Sequence, residues 1–142
     1  MRRERVYQTT LRFPSSVYVK KVDKVWGREL WFTNTPWFCS KLLVLNGGYE
    51  SSRHYHTNKI EEFVVLDGVV HLELPDQTKI MQPGDRHLIH PETEHKFSSV
   101  GPALIFEFST HHDEADVTRL TDSGPIDANN AQAVTELVSS VQ

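Results

Sequence analysis

The chain of 142 residues has the length of one ordinary domain, and its 38% hydrophobic and 24% charged content match a soluble globular protein. A net charge of −4 without any block of Lys and Arg argues against nucleic acid as a partner. The single cysteine, Cys39, excludes an intrachain disulfide and argues against a thiolate metal site.

The basic start Met1-Arg2-Arg3-Glu4-Arg5 is not followed by the apolar stretch of a signal peptide. No uncharged apolar run approaches the ~18 residues of a membrane span, so no membrane association and a cytoplasmic location are expected. The pattern then predicts short strands over residues 17–21, 29–33, 39–45, 51–56, 61–66, 69–74, 79–81, 87–90, 95–99 and 103–109. Turn residues punctuate them at Asn46-Gly47-Gly48, Asp67-Gly68, Pro75-Asp76, Pro83-Gly84-Asp85 and Gly101-Pro102. Asp67-Gly68, between two apolar runs, is the strongest hairpin signal, because the pair tolerates the positive φ angles of a type I′ turn. Many short strands without an interior helix indicate an all-β sandwich or barrel. One domain is expected over residues 1–125, its N-terminal part adding an edge strand or an arm. Residues 126–142, with Ala133, Val134, Leu137, Val138 and Val141, form either a short C-terminal helix or a tail.

The chemistry concentrates in four residues. His54 and His56 are two apart, so a strand presents both imidazoles to one face. Glu61 opens the next apolar run and shares a face with Phe63 and Val65; antiparallel pairing would bring its carboxylate beside the histidines. His95 opens a later strand after Pro91-Glu92-Thr93-Glu94. Three imidazoles and a carboxylate suit one divalent transition metal ion such as Mn, Fe, Ni, Zn or Co, with positions left open for water or substrate.

Gly48 to Gly68 resembles the first cupin motif, G-x5-H-x-H-x4-E-x6-G, at every defined position. Gly84 to His95 resembles the second, G-x5-P-x-G-x2-H, but His90 stands at the first proline and Glu92 at the glycine. The resemblance implies the cupin double-stranded β-helix, a jelly-roll barrel. Val25-Trp26-Gly27-Arg28-Glu29, then Cys39-Ser40-Lys41-Leu42-Leu43, are similar to the entry of type II mannose-6-phosphate isomerase domains. Ile105 to Ser109 and Asp113 to Leu120 resemble the closing segment of the same domains, and His56, Lys59 and Glu61 match the H-x-x-K-x-E element of cupin D-lyxose isomerases. Both families interconvert aldoses and ketoses, which implies a sugar or sugar phosphate as ligand and a stand-alone isomerase domain. A metal-dependent oxygenase and a non-catalytic carbohydrate-binding cupin are the alternatives.

An isomerase needs a base to carry a proton between two adjacent carbons. Glu107 is the carboxylate left for this role once Glu61 is a metal ligand, yet alternation is awkward: Leu104, Phe106 and Phe108 form the more apolar face, which normally looks inward. Glu107 reaches the cavity only if those side chains pack on a second subunit or an outer sheet. Lys59 is either a solvated turn lysine or a donor to a developing oxyanion. Arg119 is either a surface residue or a phosphate grip. His71 is expected to face out, at most one of His87 and His90 to face in, and His111 and His112 to form a polar loop. Trp26, Trp31 and Trp37 are read as core or interface. A homodimer with a two-fold interface is expected.

Overall fold

The computed structural model describes residues 19–127, so the expected C-terminal helix or tail lies almost wholly outside the described residues. The first strands are β1 (Lys20–Lys24), β2 (Gly27–Asn34), β3 (Cys39–Leu45), β4 (Tyr49–Glu50), β5 (His54–Tyr55) and β6 (Glu61–Asp67). They are followed by β7 (Val70–Glu73), β8 (Thr78–Met81), β9 (Arg86–Ile89), β10 (Lys96–Ser99) and β11 (Ala103–Ser109). A 3₁₀ turn over Glu114–Asp116 leads to β12 (Thr118–Arg119) and β13 (Gly124–Pro125). One sheet runs β1-β2-β3-β11-β6-β9, the other β13-β4-β10-β7-β8, and β12 pairs with β5 alone. All the pairings are antiparallel, and the chain switches repeatedly from sheet to sheet, as a jelly roll requires. The expected N-terminal edge strand is β1.

Asp67-Gly68 is not a hairpin. β6 belongs to the larger sheet and β7 to the smaller, so the dipeptide carries the chain between sheets. Gly68 has φ 77°, whereas Asp67 is not in the left-handed region, and its carboxylate accepts from the Gly68 N–H at 2.9 Å. Close packing demands the glycine: a Cβ there would collide with the Pro102 carbonyl and lie 2.8 Å from the Ala103 Cα. The true hairpin of this region joins β7 to β8 at Pro75-Asp76, closed by the Leu74 N–H on the Gln77 carbonyl at 2.8 Å.

Alternation sorts the barrel's contents. Leu45, Ala103, Leu43, Ile105 and Val65 fill one end of the interior together with Trp26, which meets Phe97 edge-on at 5.1 Å. In the next cross-strand row the interior turns polar, with Lys41 opposite Glu107 and Glu107 opposite Phe63. Leu104 and Phe106 point the other way and pack on Leu30, Leu42, Val44 and Phe32 on the outside of the larger sheet. The more apolar face of β11 is therefore the outer one, and Glu107 faces the cavity. His71, opposite in direction to the core residues Val70 and Leu72, does point away from the interior, yet it is only 5% exposed. Among the described residues no helix is long and apolar enough to cross a membrane.

Candidate metal centre and its cavity

His54 and His95 meet across an antiparallel bridge: each N–H donates to the other's carbonyl, at 3.1 and 2.9 Å. That pairing sets their rings 4.4 Å apart. His56, two residues on, follows to the same side, and Glu61 enters from the start of β6. One ligand atom from each of the four lies within 4.8 Å of all the others. The four residues named from spacing are thus brought together, His56, Glu61 and His95 buried and His54 partly so.

The hydrogen bonds decide which ring nitrogens face the centre. His54 Nδ1 lies 2.8 Å from the Ser52 carbonyl, His56 Nδ1 3.0 Å from that of Asp116, and His95 Nδ1 2.9 Å from that of Thr93. A carbonyl only accepts, so each Nδ1 carries the proton and each neutral ring keeps its Nε2 lone pair. His95 Nε2 then faces Glu61 Oε1 at 2.7 Å, and His56 Nε2 faces the same oxygen at 3.5 Å. Glu61 Oε1 and His95 Nε2 are both buried without a hydrogen-bond partner. Lone pairs converging at such distances need a cation between them, so these residues fit a divalent metal. Burial, and the nearby His95, push His54 down to about 3, which keeps the ring neutral and ready to ligate.

Asp116, from the closing segment, supports this centre. Besides the contact of its carbonyl with His56, its carboxylate accepts from the N–H groups of Thr57, Asn58 and Lys59 at 2.9–3.1 Å. It thereby fixes the loop between the two histidines and Glu61.

The polar row beside the centre holds the remaining candidates. Lys59 is not a solvated turn lysine: it is 4% exposed, and its ammonium lies 3.1 Å from Glu61 Oε2, 3.1 Å from Glu107 Oε2 and 3.2 Å from His112 Nδ1. Burial alone would lower its pKa, but the charges of Glu107 and Glu61 prevail and hold it above the ordinary lysine range. Burial would likewise raise Glu61, but the Lys59 ammonium holds it well below the usual carboxylate range. Glu107 moves the other way, raised by burial and by Glu61, with Lys59 offsetting only part. Arg119 is exposed at the rim, opposite His54 in register.

Sequence reasoning missed two residues of this cavity. Lys41 is 1% exposed, and His112, expected in a polar loop, is buried there too. His112 accepts from Lys59 at Nδ1, so its Nε2–H donates to Glu114 Oε1 at 2.9 Å, the opposite tautomer to the metal histidines. Lys41 left a signal, a lysine in step with Cys39, Leu43 and Leu45 on the inward face of β3; His112, just past a strand end, left none. His87 and His90 do not line the cavity, and His111 is exposed, bonded to the Thr35 carbonyl at 2.8 Å. Trp26 is core as expected, Trp31 lies beneath Lys41, and Trp37 is 78% exposed.

Residues 41–109 match the family model described as a cupin domain. The solved structures similar to the chain share this jelly-roll fold. No curated protein sequence matches the chain. Among solved structures it is similar to KdgF from Halomonas sp., at 17% identity over 68% of this chain and 91% of that one, TM-score 0.62. CapF from Staphylococcus aureus matches at 16% identity over 79% of this chain and 33% of the other, TM-score 0.60. A protein provisionally named a sugar phosphate isomerase, from Acidithiobacillus ferrooxidans, matches at 20% identity over 54% and 52% of the two chains, TM-score 0.50. At these identities the likeness is one of fold.

Proposed function

We propose that the protein is a metal-dependent aldose–ketose isomerase acting on a sugar or sugar phosphate through an enediolate. The observation that carries this reading is the single ammonium shared by two carboxylates, Lys59 lying 3.1 Å from both the metal-side Glu61 and the free Glu107. A divalent ion held by His54, His56, Glu61 and His95 would bind adjacent carbonyl and hydroxyl oxygens and acidify the C–H between them. Glu107, raised above the ordinary carboxylate range by burial, then serves as the base. It takes the carbon-bound proton, the electron pair passes into the carbon–carbon bond, and the carbonyl oxygen becomes an oxyanion. The adjacent hydroxyl passes its proton to that oxyanion. Return of the carbon-bound proton to the former carbonyl carbon, as the second oxygen's electron pair closes the new carbonyl, completes the interconversion. Arg119, exposed at the cavity's rim, would meet a phosphate on the far end of the sugar. The likeness to a protein provisionally named a sugar phosphate isomerase accords with this reading but does not carry it.

The test is an anaerobic screen of the metal-loaded protein against aldoses, ketoses and their phosphates. Interconversion without oxygen supports the isomerase, whereas oxygen consumption with an organic substrate rejects it in favour of an oxygenase. A homodimer belongs to the same reading: Phe108 is 49% exposed beside Phe106, their rings stacked at 4.5 Å. A monomeric mass by light scattering at micromolar concentration overturns that part.

A further inference from the structure

The cavity contains two buried lysines whose ammonium groups differ in what they have left to give. An ammonium has three N–H donors and no acceptor. Lys59 engages all three, with Glu61 Oε2, Glu107 Oε2 and His112 Nδ1 at 3.1, 3.1 and 3.2 Å. It has no donor to offer a ligand. Lys41 is more deeply buried and lines the same cavity. Its Nζ lies 3.6 Å from Glu29 Oε1 and 4.0 Å above the Trp31 ring, and these are its contacts among the described residues. The first distance is too long for a hydrogen bond, and the second attracts the charge from one side without taking a proton in a directed bond. Glu29 Oε1 is itself occupied, accepting from Trp31 Nε1 at 2.8 Å.

Burying a cation whose donors lack acceptors is costly unless something completes them, and here the open side is the cavity. Register adds a direction, because Lys41 on β3 stands directly opposite Glu107 on β11, with both side chains turned inward. A base and a cationic donor on adjacent strands at one level can face the two sides of a small planar group.

Resting on the isomerase reading, we infer that Lys41, not Lys59, is the substrate-contacting cation of the cavity. Its unused N–H groups donate to the sugar oxygen that gains negative charge as Glu107 removes the carbon-bound proton. A proton passes to that oxygen from the neighbouring hydroxyl. When Glu107 returns its own proton to the former carbonyl carbon, the second oxygen's electron pair closes the new carbonyl, so the contact weakens to one with a neutral hydroxyl. Lys59 becomes a positioning residue, holding Glu61 on the metal side and Glu107 toward the substrate.

Calorimetric titration of the metal-loaded protein separates the two lysines. The first probe is D-arabinonohydroxamate, whose planar oxygen–carbon–nitrogen–oxygen unit mimics an enediolate. The second is glycolate, an α-hydroxy anion that needs an open metal position and a cation but no isomerase chemistry. Lys41→Met keeps the apolar stem, and it should retain metal and fold while binding both probes about 10–100-fold more weakly, the range of a charged hydrogen bond. Lys59→Met should hold metal more weakly and melt lower, and at saturating metal the acid limb of its pH–rate profile should move up because Glu107 loses a stabilising cation. Equal binding of both probes by wild type and Lys41→Met overturns the inference, and so does a wild type that binds neither. If wild type ignores the hydroxamate but binds glycolate in a Lys41-dependent way, the isomerase reading falls and Lys41 stands as the ligand-contacting residue. Should Lys41→Met not fold, Lys41→Gln is read by the same outcomes.

Discussion

Lys59 Nζ and Glu107 Oε2 lie 3.1 Å apart with both side chains shut off from water, exposed by 3% and 6%. Because Glu61 shares that lysine, Glu107 is only half neutralised, and burial lifts it above an ordinary carboxylate. Replacing Glu107 by Gln removes the base while leaving Lys59 paired with Glu61, so no buried charge is orphaned. Glu107→Gln should keep its metal and its melting temperature but lose about 10²–10⁴-fold in turnover. Isomerisation by the wild type in deuterium oxide should place deuterium on the carbon beside the carbonyl, read by mass spectrometry. Full activity in the variant would remove Glu107 from the chemistry.

Metal binding should be inseparable from stability. The converging lone pairs of Glu61 Oε1 and His95 Nε2, 2.7 Å apart, repel when no cation lies between them. A ligand that binds only the folded chain adds its binding free energy to stability. Chelation should therefore lower the melting temperature, and His95→Ala or His56→Ala should lose most of the ion by elemental analysis. Full metal content in a variant lacking His54, His56 and His95 would reject the centre.

His112 gives a pH dependence of stability with a definite sign. Burial first, then the charges of Lys41 and Lys59, lower it from 6.5 to about 4, with Glu114 opposing. Between those values the unfolded chain holds the proton and the folded chain does not, so stability falls as pH drops through this window. His112→Gln cannot take up the proton. In urea titrations, the difference in stability between wild type and variant should be constant above pH 6.5 and move against wild type toward pH 4. A difference that stays flat across the window would show that His112 charges freely in the fold.

Glu92 occupies the position where the second cupin motif has glycine, and it has φ 63°, in the left-handed region. That conformation costs an L-residue about 1–2 kcal/mol, while glycine carries a larger unfolded-state entropy that offsets part of the relief. The Glu92 side chain is exposed, and its N–H bond to the His56 carbonyl at 2.6 Å survives the change. Glu92→Gly should therefore stabilise by about 0.5–1 kcal/mol, a rise of a few degrees in melting temperature. A lower melting temperature would mean that the carboxylate does something the backbone does not reveal.

The residue pattern by itself determined the all-β class and the grouping of His54, His56, Glu61 and His95, because strand alternation and motif spacing are local and repeat faithfully in space. It failed where two segments far apart in sequence compete for the same decision. Asp67-Gly68 has hairpin chemistry, but the strands it joins find better partners in different sheets, and Pro102 and Ala103 press on the glycine. The face of β11 could not be read because both faces are covered, Leu104 and Phe106 outside by Leu30, Leu42 and Val44, and Glu107 inside by charge partners. The Nδ1 tautomers of the three metal histidines, the saturation of Lys59 and the open donors of Lys41 depend on carbonyls and carboxylates supplied by other strands and loops. Only tertiary structure decides these, since a hydrogen bond fixes a proton's place through a partner that the neighbouring sequence does not contain.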